Sequence, residues 1–352
     1  MAGRHPIPAV PTHARGSHVT IDPVSGRPPS IRDVARLAGV SHQTVSRVLN
    51  NHPSIRDTTR QRVLDVMAEL QYRPNRAARA LASSRSRTIG ILSAMSTDYG
   101  PASIMASVEA AARANGYWVS IANIDPNVEG SISDALDQLR AQAVEAIVVV
   151  APQKRVFEAL ANLPFEVPYV TLQAVGDDGH ALFFDQYAGA RLATRHLLEL
   201  GHRAIYHLTG PQNWIEADAR MQGFLDEMNA WDAPTTAPIL GDWTADFGYF
   251  AGQELLRVRD FTAVFASNDQ MALGLLHAFR DGGVDVPGEV SVVGFDDIPE
   301  AAHFWPPLTT VRQDFAELGR RAVSFVLGEL DTEAHTIDPR LLVRASTAAP
   351  AR

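Results

Sequence analysis

Residues 31–49 read IRDVARLAGVSHQTVSRVL, and this stretch fixes the class of the chain. Its spacing predicts two short helices around a tight turn. Ser30 stands where a cap is needed, and Asp33 follows at the capping-box interval. Ile31, Val34, Ala35 and Ala38 share one helical face. Gly39 supplies the backbone freedom of a sharp turn. Ser41 is a second cap, before a helix whose apolar side is Val45, Val48 and Leu49. The other side carries His42, Gln43, Thr44, Ser46 and Arg47, which can donate to or accept from base edges in a major groove. The spacing alone also fits a helical hairpin in an unrelated core.

The charge distribution separates the two readings. The chain has 352 residues and a net charge of −9. Residues 30–88 nevertheless hold eleven arginines against four acids, a net +7. Residues 1–29 add +2, and the remainder carries −18. A basic module followed by an acidic remainder is the footprint of a nucleic-acid binder with a second task. The length predicts two or three domains. The apolar fraction of 46% fits a globular protein, and no apolar run reaches bilayer length. The first residues lack the apolar core of a secretory signal, so a cytoplasmic address is expected. With no cysteine there are no disulfides and no thiolate metal sites.

Outward from the opening stretch, residues 1–29 are rich in Pro, Gly and His without periodicity and read as a disordered arm. A third helix is predicted from about Asp57 to Gln71, with Val63, Leu64, Met67 and Leu70 inward and Pro74 ending it. Asn75 can cap a short Ala- and Arg-rich helix to Ala82, too poor in apolar surface to stand alone. It reads either as a linker or as a helix that orders only on DNA. From Thr88 apolar strands alternate with amphipathic helices. The strands are Thr88–Ala94, Tyr117–Ala122, Ala146–Val150, Tyr169–Leu172, Ala204–Thr209, Ala263–Ala266 and Ser291–Phe295, with a further one at Leu341–Arg344. Among the helices are Ala102–Asn115, Tyr187–Leu200, Ala217–Asn229 and Met271–Arg280. This alternation predicts parallel sheets covered on both faces, and some 260 residues of it predict two lobes with a ligand cleft beyond the strand ends. No phosphate loop, GxGxxG, HExxH or Ser-His-acid set occurs, so an enzyme, a cofactor and a metal are not expected.

The run IRDVARLAGVSHQTVSRVLNNHPSI with TRQRVLDVMAELQYRPNRAARALAS resembles the DNA-binding and hinge segments of the lac-repressor (LacI/GalR) family. The likeness continues in order through LGHRAIYHLTGP, ARMQGF, GDWTADFGY, FASNDQMALG, SVVGFDD and PPLTTVRQDFAELG, from about residue 30 to 345. It implies an α/β protein: an all-α helix-turn-helix head, then a two-lobed body like the periplasmic sugar-binding proteins, of parallel doubly wound sheets. The implied domains are an arm at 1–29, a head at 30–73, a hinge at 74–87 and a body at 88–352. The first lobe would take about 88–184 plus 315–342, the second about 185–313 plus 343–350.

By the same resemblance His42, Gln43 and Arg47 read bases, Arg47 suiting guanine and Gln43 adenine. Ser41, Thr44, Ser46 and Asn50 hold phosphates and set register. Asn75, Ala78 and Leu81 fall in the hinge helix, Leu81 at its minor-groove wedge. The family's namesake has Tyr at the position of His42, so the operator need not match. For the effector the resemblance points to Arg220, Trp243, Asn268, Asp296, Gln313 and Phe315. Tyr99, Pro101 and Ile104 of a first β–α loop form the opposite wall. Arg220 would fork to vicinal hydroxyls, and Trp243 would face a pyranose ring. Singly, each has a plainer reading: Arg220 as a surface arginine, Trp243 as core, Asn268 as the cap of a helix at Asp269. Gln173 stands where the namesake has Asp, which leaves a galactoside plausible but the sugar unidentified.

The expected function is a transcription regulator, a repressor in the first instance, with double-stranded operator DNA and a small sugar as partners and no membrane. The chain stops without an apolar heptad tail, so a homodimer is expected. The competing reading is a cytosolic sugar receptor without regulatory DNA binding.

Overall fold

A computed structural model describes residues 29–50, 52–73, 85–94, 98–125, 128, 130–160, 165–172, 180–330 and 336–351. Two compact units emerge, Met1–Arg79 and Ala80–Arg352.

In the first unit, helices α1 (Ile31–Leu37), α2 (His42–Leu49) and α3 (Asp57–Glu69) enclose a small core of Val34, Ala35, Ala38, Val45, Val48 and Val63. The Ser30 N–H and hydroxyl both donate to Asp33 Oδ2, at 3.0 and 2.7 Å. Gly39 takes φ +63° between α1 and α2. The Thr44 N–H donates to Ser41 Oγ at 3.1 Å, capping α2 as its sequence predicts. Arg60 of α3 donates to the His52 carbonyl at 3.1 Å, tying α3 to the chain leaving α2.

Two expectations for α3 fail. Leu64 is exposed. It lies about 100° round the helix from Val63, and Val66 packs inward with Met67 and Leu70 instead. Nor does Pro74 end the helix. Gln71 adopts φ +51°, its N–H bonds the Ala68 carbonyl, and the Tyr72 N–H bonds the Met67 carbonyl. That is a Schellman stop made without glycine.

The second unit holds two six-stranded sheets. The first runs β11–β5–β4–β3–β1–β2, from β1 (Thr88–Ala94), β2 (Trp118–Ile124), β3 (Ala146–Val150), β4 (Tyr169–Leu172), β5 (Ala181–Phe184) and β11 (Thr336–Ile337), all parallel. The second runs β12–β10–β9–β8–β6–β7, from β6 (Ile205–Thr209), β7 (Ile239–Leu240), β8 (Ala263–Ala266), β9 (Ser291–Asp296), β10 (Thr309–Arg312) and β12 (Arg340–Leu342). Its strands are parallel except β12, which pairs antiparallel with β10. Residues 340–342 therefore belong to the second sheet and not, as expected from sequence, to the first lobe. The expected strand at Leu341–Arg344 begins and ends earlier, because pairing to Thr310–Arg312 sets its limits.

Each sheet is covered on both faces, which explains its unbroken apolar strands. On β3, Ala146, Val148 and Val150 meet α4 (Tyr99–Ala114) and α11 (Phe315–Val326). Ile147 and Val149 meet α5 (Ser131–Ala141) and α6 (Lys154–Leu160) on the other face. The second sheet packs on α7 (Gln186–Glu199) and α8 (Ile215–Ala230) on one side. The other side receives α9 (Ala245–Val258) and α10 (Asp269–Asp281). In both sheets chain order reverses beside the strand that starts the lobe, between β1 and β3 and between β6 and β8. Ligands of such sheets bind at that switch, beyond the carboxyl ends of the strands.

Candidate functional site

A cavity of about 300 Å³ opens between the two sheets, within the size range of small-molecule sites. Nine of the ten residues expected to meet an effector line it: Tyr99, Pro101, Ile104, Arg220, Trp243, Asn268, Asp296, Gln313 and Phe315. Gln173 lies outside the described residues. Tyr99–Ile104 is not a loop but the first turns of α4, which starts after Asp98. Pro101 is compatible with that, since the first turn of a helix needs no N–H from it.

Four side chains close a ring on the second-lobe wall. The Arg220 Nε–H donates to Gln186 Oε1 at 2.9 Å, and the Gln186 amide donates to Gln313 Oε1 at 2.8 Å. The Gln313 amide donates to Asp296 Oδ1 at 2.6 Å, and Arg220 Nη2 stands 3.4 Å from the same oxygen. Arg220 Nη1 also donates to the Ser267 carbonyl, and the guanidinium lies 3.9 Å from the Phe295 ring centroid. The plain reading of Arg220 as a surface residue fails, since it is 5% exposed. Its expected fork is largely committed to protein groups, and part of its five-donor set is left for a ligand. Burial outweighs pairing for both ions: it pushes Asp296 up to about 6 and lowers Arg220.

Trp243 and Asn268 each combine the two roles that sequence left open. Trp243 is 7% exposed and belongs to the core of its lobe, yet it lines the cavity. It sits at φ +72°, and a Cβ on Gly210 would come within 2.1 Å of its ring. Only glycine leaves the indole that place. Asn268 caps α10 by accepting from the Met271 N–H at 2.9 Å, and its amide donates to the Trp243 carbonyl at 2.9 Å. One asparagine thus starts a helix and anchors the backbone of Trp243. Phe315 meets Tyr99 and Phe184 edge-on, with centroids 5.8 and 5.4 Å apart, which gives the first-lobe wall its apolar character.

Sequence reasoning missed Gln186 and Glu216, both lining the cavity. It also missed Asp269, fully buried behind it. Asp269 accepts from the Ile298 N–H at 2.8 Å and the Thr310 hydroxyl at 2.6 Å, fastening α10 to the ends of β9 and β10. Opposite lobes touch at the cavity edge. The Ile215 N–H donates to the Pro152 carbonyl at 3.0 Å, and Lys154 pairs with Asp218.

In the first unit His42, Gln43, Arg47, Ser41 and Asn50 are exposed, and Thr44 and Ser46 are half-buried. The polar side of α2 is therefore open to a partner while Val45 and Val48 hold the core. Asn75, Ala78 and Leu81 lie outside the described residues. Among those described, no cluster of side chains could hold a metal ion, and no helix is long and apolar enough to cross a membrane.

A family model described as "Bacterial regulatory proteins, lacI family" matches residues 30–75, and a "Periplasmic binding protein-like domain" matches residues 194–347. The lactose operon repressor of Escherichia coli (strain K12) is 33% identical over 334 residues, spanning 92% of either chain. This chain belongs to the lacI family of bacterial regulatory proteins. Among solved structures, the lac repressor dimer bound to operator and the anti-inducer ONPF superposes with a TM-score of 0.81 at 32% identity, covering 92% of this chain and 100% of that one. The transcriptional regulator CelR in its cellobiose complex gives 0.65 at 30% identity, covering 90% and 99%. As a lacI-family member the chain is a DNA-binding regulator with an effector-binding body, and not an enzyme.

Proposed function

We propose that this regulator is a cytosolic, dimeric repressor whose hold on operator DNA is released by a small neutral sugar, a galactoside being the first candidate. The observation that carries the effector reading is the closed ring of Gln186, Arg220, Asp296 and Gln313 facing an aromatic wall across one cavity. Fixed polar donors and acceptors on one side and apolar rings on the other match the two kinds of surface a pyranose presents. The similarity to CelR in its cellobiose complex adds support.

On this reading the head spans 30–73, the hinge 74–87 and the body 88–352, after an arm at 1–29. His42, Gln43 and Arg47 read base edges, and Ser41, Thr44, Ser46 and Asn50 set register on phosphates. Asn75, Ala78 and Leu81 form the hinge, with Leu81 as the wedge. α4 contributes to the dimer. The sugar meets Arg220, Trp243, Asn268, Asp296 and Gln313 against Tyr99, Pro101, Ile104 and Phe315, and Gln173 is the tenth contact. Effector and operator then oppose each other by the same factor in both directions.

The test is a gel shift of the full chain on DNA from its own promoter, at two salt concentrations, with lactose, galactose, methyl β-D-galactopyranoside and cellobiose. The retarded band should weaken steeply with salt and should be released by at least one sugar. A band indifferent to all four removes the sugar switch, and no band at low salt removes the repressor.

A further inference from the structure

Residues that line the cavity carry polar atoms that the ring does not satisfy. Among the described residues six buried side-chain polar atoms have no hydrogen-bond partner. Three of them belong to residues lining this one cavity: both carboxyl oxygens of Glu216 and the indole Nε1 of Trp243. Glu216 is 4% exposed, in the first turn of α8. A buried carboxyl left without a partner is destabilising, so orphans on two residues lining one cavity indicate a missing partner. Arg220, one turn further along α8, makes no hydrogen bond to Glu216, its guanidinium being directed at Gln186, Ser267 and Asp296.

We propose that Glu216 and the Trp243 indole N–H form a hydroxyl-recognising subsite that selects the effector by one hydroxyl, or an adjacent pair, of a neutral polyhydroxylated ligand. The inference rests on the sugar reading above and deepens it. A neutral carboxyl offers one donor and one acceptor, the indole a further donor. A hydroxyl both donates and accepts, so it completes the pair. Arg220 disfavours a cation at this wall and Asp296 disfavours an anion. Burial is what keeps Glu216 in its neutral form, by pushing its pKa up to about 8.

Titration calorimetry of the full chain with the same four sugars tests the subsite. Glu216→Leu should weaken a bound sugar at least tenfold. Glu216→Gln, which keeps a donor and an acceptor, should stay within threefold. Trp243→Phe should lose severalfold. The sugar's monodeoxy analogue lacking the matched hydroxyl should bind the wild type as weakly as the parent sugar binds E216L. Without sugar, E216L should melt as high as the wild type or higher, since it removes an orphan. Equal sugar affinity in E216L, where Arg220→Ala abolishes binding, overturns the subsite and leaves the sugar reading standing. A clear fall in the melting temperature of ligand-free E216L also overturns it, by giving Glu216 a partner inside the protein. If the wild type binds none of the four sugars, the sugar reading falls and the subsite with it.

Discussion

Replacing Gln186 with alanine breaks the ring at the residue that joins Arg220 to Gln313. Two bonds are lost, the Arg220 Nε–H to Gln186 Oε1 at 2.9 Å and the Gln186 amide to Gln313 Oε1 at 2.8 Å. The first involves a charge and has a net worth of about 2 kcal/mol; the second, between neutral groups, about 1 kcal/mol. Gln186 is only half-buried, so water replaces part of that loss and about 2 kcal/mol remains. For a body of this size the melting temperature should fall by about 4 °C. Sugar affinity should fall as well, because Arg220 loses the contact that orients its Nε edge. Gln186→Met keeps most of the volume and neither bond, so its melting point should fall nearly as far. Differential scanning calorimetry and sugar titration on the same samples give both numbers. An unchanged melting temperature in both variants would show that the four side chains do not act as a bonded unit, and the account of the second-lobe wall would be wrong.

Three further outcomes follow from the same geometry. Gly210→Ala places a methyl within 2.1 Å of the Trp243 ring; it should cost roughly 1–3 kcal/mol, alter near-ultraviolet circular dichroism and abolish sugar binding, and a normal spectrum would refute the packing. Asp296 and Glu216 have folded pKa values raised to about 6 and about 8. At these two groups the folded state binds more protons than the unfolded one, so their contribution to ligand-free stability should fall as pH rises from about 4 to 8, by at most ~1.4 kcal/mol per pH unit for each group. Urea midpoints of the wild type and Glu216→Gln should differ in slope between pH 6 and 8, the variant losing less stability as pH rises; parallel curves would clear Glu216. Arg47→Ala should weaken operator binding by roughly 5- to 150-fold with the melting point unmoved, because Arg47 is exposed on α2; undiminished binding in the gel shift removes its base-reading role.

The head was legible almost in full because its signals are local. Ser30 with Asp33, Gly39 and Ser41 each act within four residues of themselves. Leu64 misled because an apolar residue beside Val63 cannot share its face. The strands read from sequence announced themselves as apolar runs between helical patterns, β4 and β8 among them at four residues each, whereas β5, β7, β10 and β11, two to four residues long, were not read. Thr336–Ile337 pairs with Phe183–Phe184, some 150 residues earlier, and nothing local marks it. Missing β5 hid Gln186, which follows its carboxyl end and would otherwise be a candidate by position alone. Glu216 was overlooked because an acid in a first helical turn ordinarily complements the helix dipole at the surface. Here it is buried instead. The cavity residues were found through an ordered resemblance, and their mutual bonds were visible only in three dimensions.

The chain passes between the two sheets three times, after β5, after β10 and between β11 and β12. The first lobe is completed by α11 and β11, which are encoded after almost all of the second. Neither lobe is a continuous stretch of gene. A recombination event that replaced one lobe with that of a relative would need three breakpoints in register, whereas residues 1–79 can be exchanged at one. Operator choice in such a lineage can jump by cassette exchange, while taste for an effector must drift by point mutation along the cleft.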